Sequence, residues 1–107
     1  MARVSDQVLD LAAQAVAITS PVRPTAFATK VGAAFRGGTA GGTVRVILLA
    51  GPTATDNDLV EVDSADVSGA APRAVDLIST APYPFHAVRI EPTGGATITG
   101  KAYIVTE

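Results

Sequence analysis

Apolar and polar residues alternate along most of this chain, the pattern of strands that bury one face; helices would need apolar residues three and four apart. In a first segment Phe27, Thr29, Val31, Ala33 and Phe35 fall on one side, with Ala28, Lys30 and Ala34 on the other. Val44, Val46 and Leu48 alternate with Arg45, Ile47 and Leu49, so both faces end apolar, as in a central strand. Val60 and Val62 alternate with Leu59, Glu61 and Asp63, and Val75 and Leu77 with Asp76 and Ile78. Val88 and Ile90 alternate with Ala87, Arg89 and Glu91. Ile98, Ala102 and Ile104 oppose Thr97, Thr99, Lys101, Tyr103 and Val105, which makes six predicted strands.

Between them lie the residues that punctuate strands. Gly37-Gly38-Thr39-Ala40-Gly41-Gly42 separates the first two, and the stretch from Gly51 to Asp58 the next two. Gly69-Ala70-Ala71-Pro72, Ala81-Pro82-Tyr83-Pro84 and Pro92-Thr93-Gly94-Gly95 follow. Connections this short predict antiparallel neighbours, since a parallel pair needs a crossover of about a dozen residues or more. The expected fold is all-β, a small antiparallel β-sandwich or jelly-roll-like barrel over residues 21–107. Residues 1–20 are expected to form an N-terminal arm or edge segment. Val8, Leu11, Ala12 and Ala15 have helical spacing with Ser5 as an N-cap, while Leu9 and Leu11, then Val16 and Ile18, suit a strand. Extended structure is the expectation, a short helix the alternative.

Composition narrows the function. The chain has 107 residues, one domain's length, and 48% are hydrophobic, enough for a packed core. Only 17% are charged, below the usual quarter, which points to a surface partly covered by neighbours. The net charge is −2 and the eight basic residues are scattered, so no phosphate-binding stripe forms and nucleic acid is not an expected partner. With no cysteine there is neither disulfide nor thiolate metal site. The longest strongly apolar run, Val46 to Ala50, is too short to cross a bilayer, and no membrane association is expected.

Candidate chemistry is thin. Gly95-Ala96-Thr97-Ile98-Thr99-Gly100-Lys101-Ala102 falls one residue short of a phosphate-binding loop: Ala102 stands where a magnesium-holding hydroxyl is required, and the segment alternates like a strand. Asp56, Asp58, Glu61 and Asp63, with Asp66 beyond, are the weak candidates for a cation site, because clustered carboxylates suit calcium. Val60 breaks the loop pattern calcium usually requires, and a solvated loop leading into an exposed strand is expected instead. His86 is the one histidine; with no nucleophile-elbow motif in the chain, a structural role is expected. No cofactor and no catalytic residue is expected. Phe27 and Phe35 belong to a core-like stripe, which leaves Tyr83 and Tyr103 as the aromatics available to stack on a sugar.

The run Ala33-Ala34-Phe35-Arg36-Gly37-Gly38 leads to Gly42-Thr43-Val44-Arg45-Val46-Ile47-Leu48-Leu49, then Tyr83-Pro84-Phe85-His86-Ala87-Val88-Arg89-Ile90-Glu91 and a closing Thr97–Val105 strand. This layout resembles the small β-sandwich structural proteins of tailed-phage virions, of the head-decoration, head-fibre or tail-accessory type. The resemblance covers roughly residues 25–107 and rests on style, not on a diagnostic motif. It implies a non-enzymatic capsid decoration or minor head protein, assembled in the host cytoplasm into the virion. It also implies a homo-oligomer, a trimer in the first instance, seated on a major capsid or tail protein. Residues 1–20 would then serve as a docking arm offering Val4, Val8, Leu9 and Leu11, with Tyr83 and Tyr103 as further contacts. The alternative is a carbohydrate- or surface-binding β-sandwich accessory module.

Overall fold

A computed structural model describes residues 3–69, 73–80 and 83–107, the side chain of Asp56 excepted. The described chain is strands joined by short connections: β1 (Val4–Gln14), β2 (Ile18–Thr19), β3 (Arg23–Pro24), β4 (Val31–Ala40), β5 (Thr43–Gly51), β6 (Val60–Ser68), β7 (Arg73–Ser79), β8 (Phe85–Pro92) and β9 (Thr97–Thr106). A single 3-10 turn, Asp56–Asp58, interrupts the β5–β6 loop. The expected all-β sandwich is what forms.

Two antiparallel sheets face each other, in the orders β1-β9-β4-β7 (sheet A) and β2-β8-β5-β6 (sheet B), with β3 also on β8. The pairings nest about the β5–β6 loop: β5 with β6, β4 with β7, β2 and β3 with β8, and β1 with β9. That is one long folded hairpin rolled up, so that β4 also meets β9 and β5 also meets β8. Nested pairing of this kind is the jelly roll. It corrects the expectation that short connections join sheet neighbours. Gly41-Gly42 links β4 to β5 across the sandwich, from sheet A to sheet B, with φ of +78° and +154° that other residues rarely adopt.

Side-chain parity follows the predicted alternation in β5, β8 and β9, but not at the start of β6, where Val60 is 54% exposed and the preceding Leu59 is buried, beside a register shift opposite Leu48 and Leu49. Phe35, Val44, Val46, Leu48, Val88, Ile90, Ile98, Ala102 and Ile104 turn inward into one continuous core. Two boundaries differ from expectation. Phe27 is not core: it sits on the turn closed by Ala28 N–H donating to Thr25 O and is 77% exposed. Gly37 and Gly38, expected in a loop, lie inside β4, where Gly37 pairs with Gly100 of β9. A Cβ on Gly37 would fall 2.1 Å from Thr99 O, so only glycine permits this approach. The Phe35 ring covers the bare spot, its Cζ 2.9 Å from where that Cβ would be.

The N-terminal segment is extended, as expected, and belongs to the sandwich. β1 is the edge strand of sheet A along β9, and Val8, Leu9 and Leu11 are buried in the common core at 8%, 8% and 3% exposure. Residues 4–20 and the body therefore share one core, and Val8, Leu9 and Leu11 are not presented to a partner. Register shifts at Gln7/Leu9 and Leu11/Gln14 bulge the strand, and Ala13 takes a left-handed φ of 51° with its N–H on Thr99 Oγ1. Ser20 continues the β8 ladder between β2 and β3: its N–H donates to Val88 O, and its Oγ accepts from Val88 N.

Candidate functional site

Both open sides of the sandwich are tied by a carboxylate. On one, Asp63 of β6 accepts from Ser64 N–H through Oδ1 and from Ile78 N–H of β7 through Oδ2, at 2.9 and 3.0 Å. On the other, Asp6 of β1 pairs with Arg23 of β3 at 2.6 Å. Charged side chains turned onto strand edges are a common way to block pairing with further strands.

The weak cation candidates are thereby dispersed. Asp63 clasps β7; Glu61 Oε2 accepts from Arg45 Nη2 and from Ser64 Oγ; Asp58 accepts from Thr53 Oγ1. The Asp56 side chain lies outside the described residues. Among the described residues no cluster of three or more potential ligands assembles. The phosphate-loop-like segment is β9 itself, with Gly100 in the ladder against Gly37.

His86 is 1% exposed at the start of β8. Thr25 Oγ1 lies 2.6 Å from its Nδ1, and Ser79 Oγ, at the end of β7, 2.8 Å from its Nε2. A neutral imidazole donates through one nitrogen and accepts through the other, so the two hydroxyls complete its needs. Burial lowers the His86 pKa from its ordinary value and keeps it neutral. The ring bridges the sheets, joining β8 of sheet B to β7 of sheet A. Its two hydroxyl partners bring no carboxylate to activate it, which suits a clamp better than a catalytic base.

Two concave features stand out among the described residues. A trough of about 560 Å³ crosses the outer face of sheet A, floored by Gly32 and Ala34 and bordered by Ile78, Val105 and Ser5. Ile78 is 69% exposed. Charges at the trough's margins meet opposite partners: Arg36 pairs with Asp76 at 3.2 Å, and Arg3 and Lys30 share Glu107 at 3.4 and 3.6 Å. Tyr103, opposite Ala34 and half-buried, stands on the same face. The second feature, a cleft of about 460 Å³, opens at the end of the sandwich where β7 stops and β8 begins. Thr25, Thr29, Ser79, Thr80, Tyr83 and His86 contribute its polar groups. Tyr83 and Tyr103 thus occupy different surfaces and form no single platform. Sequence reading missed Thr25 and Ser79, because nothing local marks residues that meet only when β3, β7 and β8 converge.

No family model and no curated protein sequence matches this chain. Among solved structures it is similar to a subunit of the disulfide-linked pili of Bacillus endospore appendages, at 17% identity and TM-score 0.56 over 96% of this chain and 85% of that one. It is also similar to the CBM36-1 domain of a multidomain xylanase from the hindgut metagenome of Trinervitermes trinervoides, at 10% identity and TM-score 0.58 over 96% of both chains. PirA aligns at 9% identity and TM-score 0.54, over 98% of this chain and 93% of that one. At such identities the likeness is one of fold, and it places the chain among two-sheet antiparallel β-sandwiches.

Proposed function

We propose that this chain is a non-catalytic structural module that works by contact, as a subunit of a larger assembly. In its finer form the reading makes it a tailed-phage virion protein, a homo-oligomer, trimeric, that seats on the major capsid or a tail protein and stabilises the particle. One observation carries the coarser reading: the outer face of sheet A holds a trough floored by Gly32 and Ala34 with Ile78 exposed beside it, while the charges at its margins, Arg36 with Asp76 and Arg3 and Lys30 with Glu107, are in ion-pair contact. Such a patch loses little on desolvation and suits a neighbouring subunit. Since both open sides are tied by Asp63 and Asp6, faces and not edges are the surfaces left for assembly. Val4, 57% exposed at the start of β1, can add to such a contact, as can Tyr103. Likeness of fold to a pilus subunit supports the view that this sandwich serves in assemblies. Identical copies would close by point-group symmetry.

Light scattering on the purified chain tests this. A mass of three or more chains is expected; a monomer at every concentration would defeat the oligomer. Finding the chain in purified phage particles is the expected result for the finer reading, and its exclusion from them in a producing host would remove that reading.

A carbohydrate- or surface-binding accessory module is the second reading, favoured by the hydroxyl-lined end cleft beneath Tyr83 and by likeness of fold to the CBM36-1 domain. Sugar binding on a glycan array that disappears with Tyr83→Ala or Tyr103→Ala would favour it over assembly.

A further inference from the structure

We propose that the end cleft is a binding site for a neutral polyhydroxy ligand, a sugar unit of one or two rings. The inference goes beyond the assembly reading and stands or falls separately from it, because the cleft and the sheet A trough are different surfaces. It deepens only the second, accessory reading.

The lining decides the charge of the ligand. No Asp, Glu, Lys or Arg is among the described residues that line the cleft, so a charged guest would be desolvated with no counter-charge from them to meet it. Polarity decides the rest. Thr25, Thr29, Ser79 and Thr80 line the cleft. The Thr29 hydroxyl donates to Glu107 O at 2.7 Å, and those of Thr25 and Ser79 are held by His86. A hydroxyl so engaged has a further lone pair, which suits the donating hydroxyls of a polyhydroxy guest. His86 organises this wall in advance: with Thr25 at 2.6 Å and Ser79 at 2.8 Å, a single ring tautomer sets which hydroxyl donates to it and which accepts. Hydroxyls held in place in this way spare the ordering cost that flexible side chains incur on binding.

Apolar groups line the cleft as well. Tyr83 and Pro84 present ring surface, and Tyr83 is 38% exposed. Phe27 stands 77% exposed at the tip of the turn whose flanking residues, Ala26 and Ala28, line the cleft. An exposed phenylalanine beside a polar cleft has no role in the core and suits the C–H face of a sugar. The volume of about 460 Å³ lies within the span of small-molecule sites, roughly 300–1,000 Å³.

The test is a nitrogen-15 NMR titration of the full chain with glucose, galactose, xylose and N-acetylglucosamine, their β-linked disaccharides, and glucuronate as the charged counterpart. At least one neutral sugar should shift the amides of Thr25, Thr80 and Tyr83 and leave β5 and β6 unmoved. Affinity should be indifferent to salt and should fall at least about tenfold in Tyr83→Ala, as expected for an aromatic anchor. Thr80→Val, at an exposed position, gives a second variant should Tyr83→Ala fold poorly; it too should weaken binding. The proposal is overturned if no neutral sugar moves these amides, if glucuronate binds more tightly than its neutral analogue, or if both folded variants bind unchanged.

Discussion

The two outer faces of the sandwich are built from the same alternation yet end in different chemistry. On sheet B, the outward residues of β5 and β8 include Arg45, Arg89 and Glu91, and they are knitted to β6 and β2: Arg45 Nη2 donates to Glu61 at 2.8 Å and to Ser64 at 3.0 Å, and Arg89 donates to Glu91 and Thr19 at 2.8 and 2.7 Å. Between them Ile47, although it points outward, is only 3% exposed. Long charged side chains can cover apolar neighbours with their stems while their heads stay wet, so this face is finished against water. On sheet A the outward row of the central strand β4 is Gly32, Ala34, Arg36, Gly38 and Ala40; only Arg36, turned to Asp76, is long enough to cover a neighbour, and Ile78 stays 69% exposed. One face carries a polar roof across its centre; the other carries polar cover only at Arg36 and along its margins. The lesson is that identical inward patterns leave the outward positions free to specialise.

The first way to break that contrast is to remove what both sheets share. Phe35 is fully buried between them, and Phe35→Ala should cost about 3–5 kcal/mol, a large part of a small domain's stability. Denaturant unfolding should remain one cooperative transition shifted to lower midpoint. Separate melting of two halves would show that the sheets are not one unit.

A second effect tests the clamp between sheets. Because burial holds the His86 pKa below its ordinary value near 6.5, the unfolded chain binds a proton there that the folded chain refuses. Stability should therefore be full above that pH and fall as the pH drops through it. Melting temperature followed from about pH 7.5 to 5.5 should show the decline, and His86→Gln should flatten it over the same window. A flat profile in the unaltered chain would refute the buried neutral ring.

Asp63→Ala should cost about 1–2 kcal/mol, since two backbone N–H groups lose a charged acceptor at a partly buried edge. The β7 amide of Ile78 should then exchange faster with deuterium while those of β8 do not; equal acceleration in both would show that the carboxylate ties no edge. Ala13→Gly should raise stability by up to about 1 kcal/mol, because the left-handed φ at the β1 bulge is strained for alanine and not for glycine. A loss of stability on urea titration would mean that Ala13 contributes more through its methyl group than it costs in strain.

Much of this fold could be read from alternation, and its failures have physical causes. β5, β8 and β9 were legible in extent and parity because each keeps a strict two-residue period with Val, Leu or Ile inside. β4 was misplaced at both ends. The period continues by accident through Phe27 and Thr29, outside any strand, and Gly37 and Gly38 read as a loop although the strand needs them to bring β9 close. β1 was ambiguous between helix and strand for a reason the structure supplies: the bulge at Val8 turns Val8 and Leu9 inward in succession, which spoils the alternation and leaves Val8 and Leu11 at helical spacing. Which strands pair was not legible from turn length, since connections as short as Gly41-Gly42 cross between sheets. The end cleft was invisible for a related reason. Thr25, Ser79 and His86 lie in three segments that only the rolled topology brings together.

The most direct trial of the claim that sheet A's outer face is the contact surface is a matched pair of substitutions read by light scattering. Ala34→Arg places a charge in the trough and Arg45→Ala removes one from the finished face of sheet B. Ala34→Arg should reduce the oligomer to single chains without lowering the melting temperature by more than a few degrees, while Arg45→Ala keeps the mass of the unaltered protein. An unchanged mass for Ala34→Arg, or dissociation by Arg45→Ala instead, would contradict it.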